Sequence, residues 1–176
     1  MNTSGDDELS GKVAAVALDD GGLALVDLET SGADLPIQVI EGPKTKKALS
    51  AVTVHTIGNS LYIATGSVDG IVSVLQFDVT ELSNSANLVV QFKRNGADIS
   101  SLTFLRAGEE QSGKLSLLVA TMEGLLFEAL VGTAEQDPEV KVQIEYAGYD
   151  IDACNVVVQR GSEIYSAGKD GHLRRY

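Results

Sequence analysis

One pattern occurs four times in this 176-residue chain: an apolar strand, a carboxylate-glycine turn and a second strand. VAAVALDDGGLALVDL starts at Val13, LYIATGSVDGIVSVLQFD at Leu61, LSLLVATMEGLLFEAL at Leu115, and IYSAGKDGHLRRY at Ile164. An Asp-Gly pair between apolar runs is a strong short-range signal for a β-hairpin, because the glycine accepts the positive φ that a tight turn demands. The turn residues are Asp20, Asp69 and Gly70, Glu123 and Gly124, and Asp170 and Gly171, with the carboxylates 49, 54 and 47 positions apart. A supersecondary unit recurring at that period predicts a repeat architecture, in which each unit shares its apolar face with its neighbours.

Residues 1–11 are small, polar and acidic and read as a flexible tail. Residues 12–176 then divide into four units, at 12–42, 43–94, 95–146 and 147–176. The first holds strands at 13–18, 23–28 and 37–40; the second at 48–55, 61–65, 71–77 and 88–92. The third enters through 95–104 and continues at 115–120, 125–131 and 140–146; the fourth has 153–158 and the hairpin 164–176. A competing reading makes 114–131 one leucine-rich helix. Gly124 at its centre would cost about 1 kcal/mol there, and its place matches the other three turns. The expected fold class is all-β, with antiparallel units of three, four, four and three strands.

ATGSVDGIVSVLQFD and YSAGKDGHLRRY resemble the second strand, turn and third strand of WD40 repeats. The stretch from Asn95 to Phe104 is similar to the entry of such a repeat, with Ala97 where the family has histidine. The resemblance implies a β-propeller of four-stranded blades, about 40–45 residues each, serving as a platform for other proteins. In the family, an entry histidine, a strand serine or threonine, the turn aspartate and a tryptophan form a buried hydrogen-bonded set. The last unit keeps Ser166 and Asp170, with Tyr176 in the tryptophan position; the second keeps Thr65, Ser67 and Asp69, with Phe77 near it. These residues are therefore expected to be structural.

On this reading the first unit lacks its innermost strand and the last its outermost, a partial propeller of about three and a half blades. The ring is not closed by this chain alone. Its end units would expose apolar faces and unpaired strand edges, which soluble monomers rarely leave open. A longer parent chain, a strand-donating partner or a second copy would cover them, and two copies add up to seven blades. A segment of a longer propeller is the preferred reading.

Net charge is −12, which disfavours general binding of nucleic acid phosphates. The single cysteine, Cys154, allows no internal disulfide, and the start of the chain has neither a basic region nor an apolar signal core. An intracellular location follows as the expectation. No apolar run approaches membrane-spanning length, so no membrane contact is expected.

No nucleophile elbow, zinc-protease helix, P-loop or dinucleotide fingerprint is present. His55 and His172 are the only histidines and stand far apart in sequence, so no metal or other cofactor is expected. Cys154 reads as a small buried hydrophobe. Two basic clusters stand against the acidic background: Lys44, Lys46 and Lys47, and Lys169, His172, Arg174 and Arg175. Each fits a solvated face, or a rim that steers an acidic protein partner. The expected function is a non-catalytic scaffold module for protein–protein interaction. The alternative, a propeller enzyme or ligand-binding ring with a central metal, would draw on Asp150 and Asp152.

Overall fold

Hydrogen bonds within each turn show why the carboxylate-glycine pairs close hairpins. The glycine N–H donates back across the turn, from Gly21 to Leu18 O, Gly70 to Ser67 O, Gly124 to Thr121 O and Gly171 to Gly168 O. All four glycines have positive φ, between 78° and 87°, a region that costs other residues steric strain. The structure is a computed structural model. It describes residues 13–27, 37–40, 47–78, 86–94, 96–105, 114–132, 140–146 and 153–176.

The described residues form fourteen strands. They are β1 Val13–Ala17, β2 Leu23–Asp27, β3 Ile37–Ile40, β4 Leu49–Ile57, β5 Ser60–Ser67, β6 Ile71–Asp78, β7 Asn87–Lys93, β8 Ile99–Leu105, β9 Lys114–Thr121, β10 Leu126–Gly132, β11 Val140–Tyr146, β12 Cys154–Arg160, β13 Glu163–Gly168 and β14 Leu173–Arg175. Within each sheet sequence neighbours pair antiparallel, and the sheets are β1–β3, β4–β7, β8–β11 and β12–β14. The stretch that could have been a helix forms β9 and β10, closed at Gly124. Residues 1–11, read as a tail, lie outside the described residues.

The sheets pack face to face in chain order. Leu23 and Leu25 of the first meet Leu61, Ile63, Leu75 and Phe77 of the second. Ala64, Val72 and Val74 of the second meet Leu117, Val119 and Phe127 of the third. Leu118, Ala120 and Leu126 of the third meet Cys154, Val157 and Ile164 of the fourth. A strand buried on both faces reads as a continuous apolar run, and one buried on a single face alternates. β5 is accordingly buried from Leu61 to Ser67 and β9 from Leu115 to Thr121, whereas in β13 only Ile164 and Ser166 are buried. The second and third sheets are thus interior layers.

The leading strands of the last three sheets carry the same irregularity. β4, β8 and β12 each shift register across one residue, Ser50, Ser100 and Asn155 respectively. A bulge re-aims its extra side chain. The Ser50 hydroxyl donates to the Ile99 carbonyl, and that of Ser100 to the Cys154 carbonyl. Each bond crosses to the next sheet, and Thr103 Oγ1 adds another to Val157 O at 2.7 Å. Leading strands therefore lie side by side, β4 against β8 and β8 against β12.

Candidate functional site

The four turn carboxylates lie at equivalent positions and act on different partners. Asp20 Oδ1 accepts from Gly22 N–H at 2.8 Å, and Asp170 Oδ1 from His172 N–H at 3.0 Å, both local turn bonds. Asp69 Oδ1 accepts from the Ser67 hydroxyl at 2.5 Å, and that hydroxyl accepts from Ile71 N–H at 3.1 Å. Glu123, one methylene longer, reaches the N–H of Asp98 at 3.2 Å, while Thr121 Oγ1 accepts from Leu125 N–H. Turns also tie to leading strands, through Val68 N–H to Ala48 O, Met122 N–H to Asp98 O and Lys169 N–H to Ala153 O. Ser166 and Tyr176 hydroxyls stand 3.2 Å apart across the last hairpin.

The last hairpin gathers its charges into ion pairs. Arg174 Nη2 donates to Asp170 Oδ2 at 2.6 Å, and the His172 ring lies 3.4 Å from the same oxygen. The Arg174 hydrogen bond, followed by the backbone N–H of His172, holds the Asp170 carboxyl down at about 2. Arg175 pairs with Glu163 at 3.2 Å. Tyr165 donates to the other Glu163 oxygen, and that bond is the main reason its hydroxyl titrates above the usual range. Adjacent strand residues point to opposite faces, so Arg174 and Arg175 do not share a surface. Lys169 and His172 are exposed at the turn.

Lys47 is exposed, whereas Lys44 and Lys46 fall outside the described residues, as do Asp150 and Asp152. Cys154 is buried among Leu118, Leu126 and Val157. The His55 ring lies 5.6 Å from that of Phe104. Among the described residues no group of three His, Cys, Asp or Glu side chains is placed to hold a metal ion. No helix there is long and apolar enough to cross a membrane.

A surface that sequence reasoning did not resolve by residue lies at the two ends of the stack. The first register pair after each turn is Ala17 with Leu23, Gly66 with Val72, Ala120 with Leu126, and Ala167 with Leu173. Leu23, Val72 and Leu126 are 0%, 0% and 3% exposed, whereas Leu173 is 74% exposed. Val156, Val158, Tyr165 and Ala167 lie on the same face of the fourth sheet by register. At the other end, Val16 is 43% exposed, although its counterparts Thr65, Val119 and Ser166 are 1%, 0% and 1%. The signal was the recurring small residue before each turn, which marks the face that receives the next layer.

No protein-family model matches the chain, and no curated protein sequence matches it. Among solved structures it is similar to the crystal structure of the computationally designed Ika4 protein. That likeness has a TM-score of 0.61 at 15% identity and covers 96% of this chain and 86% of that one. At such identity it concerns the fold alone, an all-β arrangement of antiparallel sheets.

Proposed function

We propose that this chain is a WD40-like propeller segment working as a non-catalytic scaffold, each sheet a blade and the loop rim a docking surface for protein partners. The observation that supports it most is the exposure of Leu173 and Val16 at positions buried in the interior sheets. A stack built to be continued is a module of a larger assembly. The segment is completed by further chain or by a partner. On the rim, Lys47 and Lys169 present minority-sign charge to an acidic protein, and Lys44 and Lys46 add to it by their nearness to Lys47 in sequence.

Affinity capture with the native chain and with a Lys44→Glu, Lys46→Glu, Lys47→Glu variant tests the rim. Loss of a subset of acidic partners from the variant is the expected result. An unchanged capture profile would return that cluster to a solvated loop. Calorimetric titration with calcium separates the scaffold from a metal-centred ring: stoichiometric tight binding would overturn the scaffold reading.

A further inference from the structure

We infer that the open face of the last sheet docks on the open face of the first sheet of a second copy of this chain. Three observations converge on that occupant. The first is continuity with the interfaces inside the chain. Among the described residues, each apolar cluster between sheets joins the face bearing Leu23, Val72 or Leu126 to the opposite face of the following sheet. The last sheet offers the first kind of face through Leu173, Tyr165 and Ala167, with the Arg175–Glu163 ion pair beside them, and the first sheet offers the second kind through Ala14, Val16 and Val26, around the buried Ala24.

Unequal burial of equivalent positions is the second, since both unpartnered faces belong to one molecule and are of matching type. Charge is the third. Residues 153–176 carry Arg160, Lys169, Arg174 and Arg175 against Glu163 and Asp170, a net +2 in a chain of net −12. Residues 13–27 carry Asp19, Asp20 and Asp27 and no basic residue. By turn equivalence Lys169 occupies the position that Asp19 holds in the first sheet, so head-to-tail stacking brings a lysine tip beside an aspartate tip.

Such a contact is heterologous, and it closes into a ring or extends according to its rotation. It is carried by the β13–β14 hairpin of one copy against the β1–β2 hairpin of the next, as Leu23 and Leu25 pack on β5 and β6. Two copies in a closed pair hold eight sheets rather than the seven blades that strand counting gives. Each three-stranded sheet is a layer of its own, the first equivalent to strands two to four of a full sheet and the last to strands one to three. The inference rests on the scaffold reading only in taking the end faces as docking surfaces. A monomer that still captured partners on its rim would sink the pairing and leave the scaffold standing.

The test is absolute mass by light scattering over a concentration range, for the native chain, Leu173→Glu and Val16→Glu. Both positions are exposed, and circular dichroism checks that each variant folds. The native chain is expected at twice 18.5 kDa or in a ladder above it. Each variant alone is expected as a monomer, and an equimolar mixture as a heterodimer through the one intact pair of faces. A monomeric native chain at every concentration overturns the inference. So does a dimer that survives either substitution, or a variant mixture that stays monomeric.

Discussion

Gly66 sets how closely two sheets approach. A Cβ there would stand 2.3 Å from Ile99 Cγ2 and 2.7 Å from Ile99 Cβ, closer than carbon atoms pack. Gly66→Ala should destabilise by about 1–3 kcal/mol as overpacking. The double variant with Ile99→Ala should cost less than the sum of the two, because the contacts are shared; urea unfolding measures both. Two turn glycines separate conformational strain from space. At Gly171, φ +78°, an added Cβ would meet nothing within 4 Å, whereas at Gly70, φ +81°, it would sit 2.2 Å from the Arg94 carbonyl oxygen. Gly171→Ala should therefore cost about 1–2 kcal/mol and Gly70→Ala clearly more. Equal losses would contradict the close approach of residue 94 to the turn. Asp170 gives a pH signature. Its carboxyl titrates at about 2 when folded against a usual 3.8, so its pairing contributes stability above the ordinary carboxylate pKa. That contribution fades as pH falls through the range from about 4 to about 2. A carbon-detected titration places its midpoint, and Asp170→Asn should lose this part of the acid dependence.

Hairpins, as elements, were legible in the chain because each turn needs a glycine at positive φ and carries a carboxylate side chain close before it. Strand positions followed from the apolar runs between those turns, and the helix alternative failed at Gly124 for the same reason. The differing jobs of the four carboxylates were only partly legible: Asp69 bonds Ser67, two residues away, but Glu123 accepts from Asp98 N–H, 25 residues away in sequence, which only the fold brings near. Nor could spacing show that Arg174 turns inward to Asp170 while Arg175 turns to Glu163. Ser67 gives an element-scale check. Its hydroxyl joins Asp69 to Ile71 N–H, and Ser67→Ala should cost about 1 kcal/mol by removing the partner of that part-buried donor. An unshifted thermal midpoint would count against that turn network.

The described residues of the whole molecule form a stack of four sheets, with two interior layers and two end faces on which Leu173 and Val16 are exposed. Strand order and count suggested open ends; side-chain burial locates them at Leu173 and Val16. The most direct measurement is thiol labelling of one introduced cysteine at a time at the four register-equivalent positions, Leu23→Cys, Val72→Cys, Leu126→Cys and Leu173→Cys, in dilute solution. Native Cys154 is buried and serves as the protected internal reference. Rapid modification is expected at position 173 and protection at the other three, with protection at 173 growing as concentration rises. Equal reactivity at all four positions would contradict the layered stack.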